Sequence, residues 1–226
     1  MFPTYFLFHM RKLLFLCSMF AAVVCCGCSS TPGDAAVRAG HPDAAAKLYE
    51  RGASQGDSAA ALKLGLLIAE GHVAGYGTAS TWFLKSCQLG SVTGCHNIGV
   101  GYENAEHGLQ KNYLEAARFY RVAAERGYMQ SQYNLGSMYA NRYLSDDVEG
   151  LKWLLLSQKA ASSCLGQPLC KWVRDDPPGH VAKLTGRMSA VEIQAAEAQA
   201  AAWHPQRDGL PFVSGESLSP RPGLKD

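Results

Sequence analysis

Cysteine, histidine and adjacent carboxylates are the groups in this sequence that could do chemistry. Eight cysteines stand at positions 17, 25, 26, 28, 87, 95, 164 and 170. Thiols at short spacing can close a disulfide, hold a soft metal or carry a covalent group. Cys87 and Cys95 have seven residues between them, and His96 follows directly. A Cys/His metal site there requires both thiols reduced, and two buried free cysteines are a third reading. Cys164 and Cys170 flank Leu165-Gly166-Gln167-Pro168-Leu169, whose Gly and Pro favour a turn. His72 and His107 fall in equivalent inter-helix loops 35 residues apart, where solvated histidines are expected. Asp175-Asp176 precedes Pro177-Pro178 and reads as a turn, not a carboxylate dyad.

Spacings that define known mechanisms are scarce. There is no His-Glu-x-x-His for a zinc helix, and no Ser or Thr is followed by Lys three residues on. Gly71, Gly75 and Gly77 match a phosphate-cradling loop only in glycine count. No cofactor or metal is expected. Trp82, Phe119, Tyr120 and Trp153 would suit a sugar-stacking stripe, but their register is that of a repeat and assigns them to the core.

That repeat is the element that must position everything else. Gly56, Gly90 and Gly127 close similar stretches and lie 34 and 37 residues apart. Leu64-Gly65, Ile98-Gly99 and Leu135-Gly136 keep the same 34 and 37. Leu48-Tyr49, Trp82-Phe83, Phe119-Tyr120 and Trp153-Leu154 follow at 34, 37 and 34. Three anchors in one register define units of two helices. In the first helix, Leu and Tyr four apart share a face and the intervening Gly admits a close partner. The second carries Ala and aromatic residues at helical spacing, as in Ala116, Phe119, Tyr120, Ala123 and Ala124, and ends on Gly127. One such pair cannot bury both faces, so the units must stack.

These residues resemble the Sel-one-like repeats, a branch of the tetratricopeptide-like solenoids. The resemblance runs over 44–161, as a half-unit (44–56) and three units (57–90, 91–127, 128–161). It implies an all-α fold, a right-handed α/α solenoid. The sequence departs at Ile68, which replaces Tyr, and in loop 140–147, which lacks the family's glycines. The Cys87/Cys95 spacing across a helix junction is found in secreted cysteine-rich members, which implies a disulfide there. A second is expected at Cys164/Cys170, closing a connector over 162–188. Ser189-Ala190-Val191-Glu192 is a capping box with Met188 and Ile193 as its staple. It opens a capping helix over 189–203, whose buried stripe is either Val191, Ala195, Ala198 and Ala202 or Ile193, Ala196, Ala200 and Trp203. From His204 to Asp226 the composition is that of a disordered tail.

The leader speaks to compartment. Arg11-Lys12 precedes an apolar run from Leu13 that ends in small residues, the plan of a signal peptide over 1–27. Met10 directly before the charged pair is an alternative start, which would leave 1–9 untranslated. The 15-residue run from Leu13 to Gly27 falls short of the roughly 20 residues that span a bilayer. Gly27-Cys28-Ser29-Ser30 resembles a lipobox, implying a diacylated Cys28, with Cys26 as second choice. Ser29 then implies the outer membrane, and residues 28–43 a loose tether facing the periplasm. Cleavage there leaves four body cysteines, an even number in a compartment where disulfides persist.

Outside the leader the charge sums to zero, since Arg11 and Lys12 account for the excess of 21 cations over 19 acids. A neutral body without a basic stripe argues against nucleic acid as partner. The expected function is an envelope-anchored scaffold or adaptor that binds a periplasmic protein or peptide in the solenoid groove. Groove candidates are Lys63, His96, Asn97, Tyr133 and Asn134, of which Asn97 and Asn134 share a repeat position and could instead brace a neighbouring helix. An immunity or stress-response lipoprotein is a more modest version of the same reading. The alternative, from cysteine-rich relatives, is β-lactam or peptidoglycan binding or hydrolysis.

Overall fold

The computed structural model describes residues 31–164 and 166–206. The signal peptide, Cys28 and the tail beyond Gln206 lie outside the described residues. Among the described residues the chain is all helix. Eleven helices follow in order: α1 (Pro32–Arg38), α2 (Pro42–Ser54), α3 (Ser58–Ala69), α4 (Ala79–Gln88), α5 (Val92–Asn104) and α6 (Tyr113–Glu125) come first. Then come α7 (Met129–Ala140), α8 (Asp147–Ala161), α9 (Pro168–Asp175), α10 (His180–Thr185) and α11 (Ala190–Ala202). Each of α1 to α8 packs on its chain neighbours, which makes a solenoid of four helix pairs.

One junction recurs at the ends of α2, α4 and α6, the second helices of the first three pairs. Gly56, Gly90 and Gly127 take positive φ of 91°, 96° and 85°, which costs a residue without Cβ nothing. The next N–H then reaches back to the helix, from Asp57 to Gly52 O, Ser91 to Ser86 O and Tyr128 to Ala123 O, each at 3.0 Å. This is the six-to-one bond of a Schellman motif. Asp57 and Ser91 also open the following helix, accepting from the Ala59 and Ala60 N–H groups and from the Gly94 N–H. Two adjacent residues therefore stop one helix and start the next.

Within each pair a glycine lies beneath a bulky side chain. A Cβ on Gly65 would sit 2.6 Å from Phe83, on Gly99 2.6 Å from Tyr120, and on Gly136 2.6 Å from Leu154. Gly33 repeats the arrangement with Tyr49, at 2.4 Å. This corrects the loose tether: Thr31 and Asp34 form a capping box, and α1 completes the half-unit as the first helix of a full pair.

The loop after α7 lacks glycine and solves the same problem differently. Arg142 takes φ 64°, and Arg187 donates to Tyr139 O at 2.9 Å and Ala140 O at 3.1 Å. Those carbonyls belong to the last turn of α7, where the helix runs out of its own donors, and Tyr139 O also accepts the Arg142 N–H at 3.0 Å. Arg187 is held by a two-point bond to Asp147 at 2.6 and 2.7 Å.

Past the fourth pair, α9 packs on α8, α10 on α7 and α8, and α11 along α8. The Ser189–Glu192 capping box forms. The buried stripe of α11 is the one through Ala196 and Ala200, with Ile193 and Trp203 packed against the core, while Val191 is exposed. Residues 204–206, expected within the tail, are described and turn back along the solenoid: the Gln206 N–H donates to Glu125 O at 2.9 Å.

Candidate binding surface

The body cysteines are joined as two local pairs. Cys87–Cys95 crosses the α4–α5 junction with Cα atoms 4.6 Å apart, and Cys164–Cys170 closes the loop from α8 to α9. With Cys95 so engaged, no Cys/His metal pair is available at His96. No group of three or more metal-ligating side chains occurs among the described residues.

Three of the five groove candidates are corrected by burial. His96 packs between the rings of Tyr120 and Tyr128, and its Nδ1 meets Ser131 Oγ at 3.0 Å. Burial pushes its imidazole down to about 4. Asn97 is buried as well, consistent with a bracing position rather than an open one. Tyr133 is 3% exposed, and its hydroxyl donates to Asp176 Oδ1 at 2.9 Å. The rows that looked like a polar face therefore fasten one repeat to the next, His96 from α5 to α7 and Tyr133 from α7 to α9.

Lys63 and Asn134 remain half-exposed. Lys63 reaches back to α1, with Nζ 2.6 Å from Asp34 Oδ1. Burial disfavours the Asp34 carboxylate, but bonds from Lys63, Tyr49 and the Thr31 N–H outweigh it and hold the carboxyl well below its ordinary range. The Tyr49 hydroxyl donates to the same carboxylate at 2.7 Å, and burial with that bond raises the phenol.

Asp176 is the residue that sequence reasoning missed most clearly. It is the left-handed cap of α9, as a turn residue should be, yet its carboxylate is buried. Besides the Tyr133 hydroxyl it accepts the Val181 N–H at 2.8 Å. His180 Nδ1 lies 3.0 Å from the Tyr133 oxygen. Since that hydroxyl donates to Asp176, the His180 ring is left to donate to it. Burial lowers the His180 imidazole, partly offset by the Asp176 charge. Trp172 closes the cluster edge-on to Tyr133 at 4.9 Å.

A second network ties α6, α7 and α8. Glu149 accepts from Arg121 Nη1 at 2.7 Å, Lys152 Nζ at 2.6 Å and the Trp153 indole at 2.7 Å. Arg121 Nη2 also donates to the Tyr139 hydroxyl at 2.7 Å. Burial opposes the Glu149 charge, and the two cations overcome it, so its carboxyl stays low.

The loop residues divide. His72 is exposed beside Glu70, as a solvated histidine would be. His107 is corrected: its ring packs edge-on against Phe83 at 5.2 Å. The string Gly52-Ala53-Ser54-Gln55-Gly56 has the spelling of a nucleophile elbow, which needs a strand-to-helix turn. Here Ser54 ends α2, and its hydroxyl donates to Arg51 O at 2.7 Å.

A glycine under a ring in three pairs and under Leu154 in the fourth, with a Schellman junction between pairs, builds a stack of helix pairs, and that stack aligns with solved structures. A protective antigen present in uropathogenic Escherichia coli strains, displaying an SLR fold, aligns with TM-score 0.53 and 24% identity over 70% of this chain and 32% of its own. A Sel1 repeat protein from Oxalobacter formigenes aligns with TM-score 0.52 and 23% identity over 60% of this chain and 59% of its own. The fold is a Sel1-repeat solenoid. No family model and no curated protein matches the sequence. This chain spans about a third and about three fifths of those two Sel1-repeat structures.

Along this Sel1-repeat solenoid the residue before the side chain that covers the glycine packs toward the preceding pair, as Trp82 does against the cluster of the first and Phe119 against that of the second. Phe119 and Trp153 are buried there, at 5% and 0% exposure, and Trp82 is half-buried with its indole donating to Tyr76 O. Leu48 holds that position in the first pair, which no other pair precedes among the described residues, and is 36% exposed.

Proposed function

We propose that this chain is an envelope-anchored protein-interaction scaffold of the bacterial periplasm, held to the outer membrane through Cys28, with a protein or peptide as its partner. The observation that carries the reading is the joining of all four body cysteines in two local bridges. Such bridges persist in oxidising compartments and are rare in the cytosol. The lipobox-like Gly27-Cys28 and the charged-then-apolar leader agree with that location.

The interior of the solenoid supports the scaffold reading from the other side. The buried His96, Tyr133 and Asp176 and the half-buried Glu149 are engaged in joining helices of successive pairs and of the C-terminal cover, which leaves recognition to exposed positions. Of the five groove candidates, Lys63 and Asn134 are the ones a partner can reach.

The test is cross-linking in cells. A photoreactive residue at Asn134 in the full-length protein is expected to trap a discrete periplasmic species, and one at exposed Ala198 on α11 is not. No species at Asn134, or the same set from both positions, would overturn the binding surface. Recovery of the protein with free thiols in the cytosolic fraction would overturn the location.

A further inference from the structure

The first helix begins almost at the anchor. Cys28 is separated from Thr31 by Ser29 and Ser30 alone. Three residue steps span at most about 11 Å even when fully extended. The headgroup region on each side of a bilayer is about 5–8 Å thick. Thr31 is the N-cap of α1, closed by its capping box with Asp34, and α1 is fixed to α2 by the Gly33–Tyr49 contact and to α3 by Asp34–Lys63. A rigidly packed helix on so short a leash cannot move far from the bilayer surface.

A second, independent feature lies at the same end. Terminal repeats of solenoids need a polar outer face to stay soluble. The far end is covered by α9, α10 and α11, and Trp153 there meets Trp203. Among the described residues the α1–α2 end has no such cover. Pro32, Ala35 and Ala39 of α1 are exposed, and Leu48 of α2 is exposed at the position that the second pair half-buries and the third and fourth bury. Exposed charges on these helices nearly balance, Arg38, Lys47 and Arg51 against Asp43 and Glu50. Cover and tether, more than charge, would therefore set the contact.

We propose that the α1–α2 end of the solenoid is a membrane-facing surface, seated on the headgroups of the leaflet that holds the acyl chains, with α9–α11 as the free end. This rests on the anchoring of Cys28 under the function proposed above. The bilayer then covers the end that is open among the described residues, and a partner is met by the later repeats.

The lipidated protein, purified from membranes without reductant, is reconstituted in phosphatidylethanolamine/phosphatidylglycerol vesicles carrying a headgroup spin label. Single Ala35→Cys and Ala198→Cys variants carry a thiol-linked fluorophore, with Ala39→Cys as a second position on α1 should Ala35→Cys fail to fold. The α1 fluorophores are expected to be quenched several-fold more than the one at Ala198. Equal quenching at both ends, in protein shown by mass to be diacylated at Cys28, overturns the seating while leaving the anchor intact. So does shielding of the α1 label in a dimer, which would assign the end to a second copy. Protein carrying no acyl chains at Cys28 overturns the anchor, and the seating with it.

Discussion

Gly99 lies directly beneath the ring of Tyr120, so close that a Cβ there would come within 2.6 Å of two ring carbons. Tyr120 is fully buried, and its hydroxyl donates to Glu103 at 2.6 Å, so the ring is fixed at both ends. Gly99→Ala should therefore destabilise the fold by about 1–3 kcal/mol from overpacking, less the roughly 1 kcal/mol that Ala gains over Gly in a helix. Urea denaturation of the two proteins measures the difference. A variant as stable as the parent would mean that the ring shifts freely.

The Cys87–Cys95 bridge closes a loop of sequence separation 8 between adjacent helices. Chain-entropy arithmetic gives such a loop about 2.5 kcal/mol. Replacing both cysteines by Ala is expected to lower unfolding stability by that order and leave helix content intact. Circular dichroism with denaturant titration reads both quantities.

Acid should weaken the fold through its buried imidazoles. His96 is held at about 4 in the folded chain, against an ordinary value near 6.5 once unfolded. Between those values the unfolded state binds the proton more readily, so stability falls as pH falls. For His96 the loss approaches roughly 3 kcal/mol by about pH 4. His107 and His180 are lowered by burial too and act in the same direction. Denaturation midpoints between about pH 7 and about pH 4.5 should show the slope. His96→Asn should flatten it in part, whatever its effect on stability at neutral pH.

Arg187 supplies two donors to the end of α7 while its charge is matched by Asp147. A lysine cannot span both carbonyls and the carboxylate at once. Arg187→Lys is expected to cost about 1–3 kcal/mol. Hydrogen exchange should speed up at the α7–α8 loop first.

A chromogenic β-lactam separates the scaffold from its enzymatic alternative. Steady turnover by the oxidised protein above a buffer control would sink the scaffold reading. The expectation is a flat trace.

The repeat was legible because its anchors are local and periodic: a closing glycine, a glycine before the first-helix Tyr, an aromatic row. The cysteine pairs and the Ser189–Glu192 box were legible for the same reason, since each is a short-range signal. The first pair was only half visible, because α1 offers Pro32-Gly33 where other units offer Leu-Gly or Ile-Gly. The groove residues misled because His, Asn and Tyr look like surface in a sequence, whereas here they bridge repeats. Tyr133 and Asp176 are 43 residues apart, and no spacing rule links them. The turn after α7 was opaque for a similar reason: its missing glycine is answered by Arg187, from beyond the repeats altogether.

The return of the chain after α11 has a mechanical consequence. Solenoids fray from either end, because each repeat is held only by its neighbours. Here Trp203 donates to Glu125 at 3.3 Å and the Gln206 N–H bonds the Glu125 carbonyl, so the last helix is clasped to the third pair across the fourth. The fourth pair cannot peel away unless that clasp opens first. Pulled or heated, the array has a clasp at one end alone among the described residues, and it should unravel from α1 toward α8.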